Sequence, residues 1–145
     1  MPEIRMESPD HRRIAGNVDA MTRRARDLRP IWPAVARELA AGERRHFAAG
    51  RAGLWPEAKD STVRRKARAN LPNVLMRARG DLEDSLTVVG NRNMVLDARP
   101  LSLRFTTRVL HARWQNPSRP LVVAAKVTAR RVSSIGQRWI AEGRR

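Results

Sequence analysis

Between Phe47 and Lys66 the chain reads FAAGRAGLWPEAKDSTVRRK, and no single regular element can run through it. A Gly-rich bend comes first, then a Trp-Pro pair that biases Trp55 toward extended backbone. Asp60 or Ser61 next offers a cap for a new basic helix, STVRRKARANL, which has to stop before Pro72. The segment holds Trp55 in a turn and hands the chain to a helix. It carries no nucleophile, base or ligand cluster, so it reads as scaffold rather than as a catalytic loop.

Upstream, Ile14, Val18, Met21, Ala25 and Leu28 recur at alternating steps of four and three, one face of an amphipathic helix with Asp10 as its N-cap. The stepping resumes at Trp32, Val35, Leu39, Gly42 and His46, with Ala36 and Phe47 widening the stripe. Pro30 and Pro33 fit a first helical turn but not a helix interior. Two helices, or one kinked near Pro30, are therefore expected. The spacing is also that of a coiled-coil seam, but over only about two heptads on either side of the break. Packing within the domain is the favoured reading.

Downstream, Gly80-Asp81 opens a second short helix or turn, GDLEDSL. Strand-like runs follow at Thr87-Val88-Val89, Met94-Val95-Leu96 and 101–105, separated by the turn signals Gly90-Asn91 and Arg99-Pro100. They predict a small antiparallel meander. The stretch TRVLHARWQN fits either a short helix or a loop, and Leu121-Val122-Val123 either a fourth strand or a helix start. Val132, Ile135, Trp139 and Ile140 mark a C-terminal amphipathic helix ended by Gly143. The fold class expected is α+β: N-terminal amphipathic helices, a small antiparallel sheet and a C-terminal amphipathic helix. Residues 1–9 read as a flexible arm and 10–145 as a single domain. Its helical part spans 10–71, a mainly strand part 72–125, and the last helix 126–145.

One domain of 145 residues is long enough to bury a core, yet only four Trp and two Phe are available to fill it. Packing against neighbouring copies would relieve so thin a core. There is no cysteine, the opening residues lack the apolar region of a signal peptide, and no apolar run approaches a membrane span. A soluble protein made in a cytoplasm, without a membrane partner, is expected. The net charge of +16 is lopsided: residues 1–60 carry +3 and residues 61–145 carry +13. A polyanionic neighbour, nucleic acid or acidic protein, fits the second part. Arginine supplies 27 of the 30 basic residues, as codon bias alone would also produce.

Reactive constellations are missing. His11, His46 and His111 lie in separate segments without ligand spacing, and His46 continues an apolar stripe. The acidic group Asp81, Glu83 and Asp84 is accounted for by the dipole of the helix it opens. No Gly-rich phosphate loop or nucleophile elbow occurs. No catalytic residue, metal site or cofactor is expected. Candidate contacts to DNA or an acidic partner are Arg64, Arg65, Lys66 and Arg68 in one patch, and Arg130, Arg131 and Arg138 in another. Neither patch is interleaved with stacking aromatics, so any nucleic-acid contact would ignore sequence.

Taken in order, several landmarks resemble the virion morphogenesis, or tail-completion, family of tailed bacteriophages, phage Mu type. They are Phe47, Gly50, Trp55-Pro56, Ser61-Thr62, Lys66, Leu75, Gly80-Asp81-Leu82, Ser85-Leu86, Phe105-Thr106-Thr107, His111-Ala112 and Ser118-Arg119-Pro120-Leu121. The resemblance covers roughly residues 35–142; it lacks the family's Tyr-Ala, and the loop before Arg119-Pro120 is shortened. It implies a structural protein of the phage neck, at the head-to-tail connector, located in the virion and in the host cytoplasm during assembly. Its implied partners are copies of itself in a ring (six-fold favoured, twelve-fold possible), other neck, portal-side and tail-tube proteins, and genomic DNA in the lumen. It implies structural roles for Phe47, Trp55, Pro56, Thr62, Lys66, Gly80, Asp81, Leu82, Ser85, Leu86, Arg119 and Pro120. Arg119 is expected to pair with Asp81 or Asp97. The alternative function is a small basic protein that binds nucleic acid without sequence preference.

Overall fold

The Pro30 break separates two helices, as the spacing predicts. In the computed structural model, which describes residues 10–49, 55–73, 76–77, 79–115 and 126–144, α1 spans His11–Arg26 and α2 spans Trp32–Ala49. A 3-10 turn, Arg29–Ile31, holds Pro30 where its missing N–H costs nothing. The Asp27 carboxylate accepts from the Arg29 backbone N–H at 3.0 Å and from its guanidinium at 2.9 and 2.7 Å. These bonds fix the corner and pull the Asp27 carboxyl down to about 2. Asp10 occupies the N-cap position of α1 in helical backbone geometry, without the side-chain capping bond expected of it.

Helix α3 spans Asp60–Arg68, with Asp60 inside the first turn rather than at the cap. Asn70 adopts a left-handed φ of 51°, and the Leu71 and Asn70 N–H groups bond back to Lys66 and Ala67 carbonyls. That Schellman arrangement ends the helix before Pro72. Gly80, at φ 91°, turns the chain into α4, Asp81–Thr87. Next come β1 (Met94–Ala98) and β2 (Leu103–Thr107), antiparallel in the register Met94↔Thr107 to Ala98↔Leu103. A four-residue helix α5, Ala112–Gln115, and the long α6, Lys126–Glu142, complete the α+β fold.

The meander shrinks to this hairpin. Thr87-Val88-Val89 is not a strand: Thr87 closes α4, and the Val88 N–H still bonds helically to the Asp84 carbonyl at 3.0 Å. With the Val88 N–H committed to the helix and its carbonyl to the turn, accepting from Asn91 N–H at 3.0 Å, the pair forms no strand and both valines are exposed. β2 also lies two residues later than expected, because Arg99–Ser102 forms the loop, closed by Arg99 N–H to Ser102 O at 2.8 Å. That loop docks on the corner between α1 and α2. Trp32 Nε1 donates to Arg99 O at 2.6 Å and Leu28 N to Pro100 O at 2.7 Å.

Helix α2 is the spine. Its buried residues, Val35, Ala36, Ala40, Glu43 and Phe47, put the face centre one position away from the predicted stripe. The helix serves two neighbours: α4 meets the Phe47 end, and α6 crosses near Gly42. A Cβ at Gly42 would lie 2.7 Å from Thr128 Oγ1, so glycine permits the close crossing. Residues 1–9, Gly50, Leu75, 116–125 and hence the Leu121–Val123 strand candidate lie outside the described residues.

Candidate functional site

Some of the residues carrying the resemblance meet in one cluster. Phe47 from α2, Trp55 from the turn, Leu82 and Leu86 from α4 and Ala112 from α5 pack together, bordered by Met76, Phe105 and Val109. Trp55 is only 4% exposed. It stands edge-on to Phe47 at 5.0 Å and to His46 at 4.6 Å, the geometry that aromatic quadrupoles favour. His46 is thus a packing residue, half-buried against an indole. The apolar residues of this cluster come from α2, α4, α5, the Trp55 turn and the segments around Met76 and Phe105.

Ser85 is fully buried and ties α4 to β2. Its hydroxyl lies 2.7 Å from both Leu82 O and Thr107 Oγ1, and Thr107 Oγ1 accepts from Val109 N–H at 3.1 Å. Gly80 holds its left-handed turn, while Asp81 is exposed in the first turn of α4. Pro56 is exposed and Thr62 half-buried. Lys66 Nζ donates to Arg77 O at 2.7 Å, and Arg77 in turn pairs with Glu83 at 2.8 Å. Arg119 and Pro120, with the pairing expected of Arg119, lie outside the described residues.

The basic side chains divide into two groups by what they touch. Some close helix ends. Arg44 donates to the Thr87 carbonyl at 2.9 Å, at the end of α4, and Arg45 to Thr128 Oγ1 at 3.3 Å. Arg24 of α1 donates to Ile140 O and Ala141 O, both at 3.0 Å, at the end of α6. Trp139 of α6 returns the contact, its indole N–H shared between Arg24 O and Asp27 O at 3.3 Å each. Each helix thus donates to carbonyls at the C-terminal end of the other, the end where backbone acceptors run short of intrahelical donors. Gly143, at φ 72°, completes the end of α6 beneath the Arg24 guanidinium.

Other arginines face solvent. Arg64, Arg65 and Arg68 are exposed on α3, and Arg130 and Arg138 on α6, without an ion pair among the described residues; Arg131 reaches Glu38 at 3.4 Å. The sequence reading found these patches. It missed an exposed pair beside them: Trp114, 70% exposed, with the Arg113 guanidinium 4.6 Å from its ring centre. It also assigned the α1 stripe to the domain interior, whereas α1 contributes no buried residue. Two heptads of narrow spacing were the available signal.

Among the described residues no three His, Asp or Glu side chains gather around a common point, and no helix is long and apolar enough to cross a membrane. No protein family, curated protein or solved structure matches this chain.

Proposed function

We propose that this chain is a structural subunit of a tailed-phage virion, working in the neck as part of the head-to-tail connector. It acts there as a tail-completion or tail-terminator-like ring component, joining portal-side proteins to the tail and letting DNA pass. The observation that carries the reading is the convergence of Phe47, Trp55, Leu82, Ser85 and Leu86, five positions of the resemblance, in and around one core. A shared motif that builds a core is what a family of scaffolds, differing in their outer contacts, requires.

Two features support assembly. Among the described residues only ten apolar side chains are buried, while Ile14, Val18, Leu101, Leu110 and Trp114 are more than half exposed. Heterologous contacts between copies would close a ring. Six copies would carry +96, six times the charge of one chain, which suits a lumen that DNA traverses or a seat against acidic neighbours. Arg64, Arg65, Lys66, Arg68, Arg130, Arg131 and Arg138 are the candidate contacts. Phosphates met there would be held without being read. The chain needs no cofactor for this work.

The second reading, a small basic nucleic-acid-binding protein, is favoured by Trp114 and Arg113, since an exposed indole beside a guanidinium can stack on a base. Particle mass with negative-stain imaging separates the two. A six- or twelve-fold ring supports the neck subunit. A monomer that coats single-stranded DNA, and loses it steeply with salt and with Trp114→Ala, supports the second reading.

A further inference from the structure

Helix α6 divides its residues sharply between two sides. Thr128, Val132, Ile135 and Trp139 face the domain: Thr128 is 2% exposed and lies against Gly42, and the other three are half-buried. At about 3.6 residues per turn, Lys126, Arg130, Ser134, Gln137 and Arg138 share the opposite side, within an arc of about 120°. All five are exposed, and the three cations make no ion pair among the described residues. The only carboxylate of the helix, Glu142, stands outside the arc and pairs with Arg144 at 3.6 Å. We propose that this arc is a seat for the phosphate backbone of duplex DNA.

Its makeup selects that partner. Phosphates are held by Arg and Lys together with neutral hydroxyl and amide donors, the mixture present here. An acidic protein would need an apolar centre to bury beneath a polar rim. Within the arc only Val127 and Ala141 are apolar. A single strand would need an aromatic on which to stack its bases. The one aromatic of α6, Trp139, is turned the other way, its indole N–H 3.3 Å from both Arg24 O and Asp27 O.

Geometry suits a regular row of charges. A rise of about 1.5 Å per residue sets Lys126, Arg130, Ser134 and Arg138 about 6 Å apart along about 18 Å, the axial length of about five base pairs. The row is held outward because the inner side is fixed near both ends, by the Gly42 crossing at Thr128 and by the Trp139 bonds to the end of α1. The seat also narrows the candidate contacts. Arg131 is engaged with Glu38 at 3.4 Å and Lys66 with the Arg77 carbonyl at 2.7 Å, whereas Lys126, Ser134 and Gln137 join Arg130 and Arg138. The inference rests on the neck reading for the polyanion being DNA, and goes further in naming the face that meets it.

The test uses the whole chain and fluorescence anisotropy with a labelled duplex of mixed sequence. Lys126→Gln, Arg130→Gln and Arg138→Gln combined should weaken binding at least about tenfold and lower the slope of log affinity against log salt by about 3. Arg12→Gln, Arg13→Gln and Arg23→Gln combined remove the same charge from exposed positions of α1 and should change both far less. Equal losses would mean that net charge alone attracts the duplex, and would overturn the proposal. Ser134→Glu with Gln137→Glu keeps every cation and sets two carboxylates in the arc. It too should weaken binding at least about tenfold, and it is the deciding variant if the triple substitution lowers the melting temperature. Full affinity in that variant overturns the seat. So does tighter binding of a poly-Glu peptide of equal charge, which would give the arc to an acidic protein, or a preference for single strands that Trp114→Ala removes. Particle mass scores the ring separately. A ring indifferent to duplex DNA would end this inference and leave the neck reading standing; duplex binding through α6 without a ring would do the reverse.

Discussion

Replacing Gly42 by alanine should destabilise the fold, although alanine is the better helix former. In a free helix the change gains about 1 kcal/mol. Here the new Cβ would sit 2.7 Å from Thr128 Oγ1, 3.2 Å from its Cγ2 and 3.5 Å from its Cβ. Turning the threonine about χ1 only exchanges one close branch for the other, and a β-branched residue in a helix has few rotamers to spend. Relief requires α2 and α6 to separate, and overpacking of that kind costs about 1–3 kcal/mol. The net expectation is a loss of up to about 2 kcal/mol, on the order of several degrees in melting temperature for a chain this size. Separation would also stretch the Arg45 bond to Thr128 Oγ1, already 3.3 Å. The decisive assay is a double-mutant cycle by urea denaturation at fixed protein concentration. In the Thr128→Ala background the clash is gone, and Gly42→Ala should then stabilise by about 1 kcal/mol, giving a coupling of roughly 1–3 kcal/mol. A rise in stability from Gly42→Ala alone would refute the claim that this crossing depends on glycine.

Other outcomes follow from contacts already described. Trp55→Ala should cost about 3–5 kcal/mol and lose assembly with folding, while Trp55→Phe costs less; an unchanged urea midpoint for Trp55→Ala would remove the indole from the core. Arg24→Ala and Trp139→Phe should each speed amide hydrogen exchange at the facing ends of α1 and α6, and nowhere in the Trp55 cluster; uniform acceleration across the chain would refute a local fastening. The Asp27 carboxyl, held near 2 against an ordinary 3.8, stabilises the fold fully above about pH 4 and loses that contribution as pH falls through 2. Asp27→Asn should therefore flatten the fall in urea midpoint between pH 4 and 2, and an unchanged slope would show that the pairing with Arg29 adds nothing.

Proline and glycine made the backbone plan readable: the break at Pro30, the stop before Pro72, the turn at Gly80 and the end at Gly143 all follow from what those residues permit. The location of Trp55 was legible because a large aromatic fixed before a proline has few places to go. Partners that depend on distant chain were not legible. Thr87-Val88-Val89 has strand composition, yet the helix before it keeps the Val88 donor, and no local pattern reveals that competition. The α2 stripe was found but centred wrongly, because Glu43 is charged by type and buried in fact. Periodicity showed that α1 has an apolar face and could not show that the domain leaves it open. The basic patches were visible as composition, but only geometry separates Arg24 and Arg44, which close helices, from Arg64 and Arg130, which do not.

The mutual fastening of α1 and α6 has a consequence for how the molecule comes into being. Arg24 leaves the ribosome long before the carbonyls of Ile140 and Ala141 exist to receive it. Helix α1 thus cannot be fastened at this end until α6 has been made, and until then its oily seam stays available to whatever passes. Removing the last turn of α6, with the Ile140 and Ala141 carbonyls, should leave α1 unmoored more than a hundred residues away.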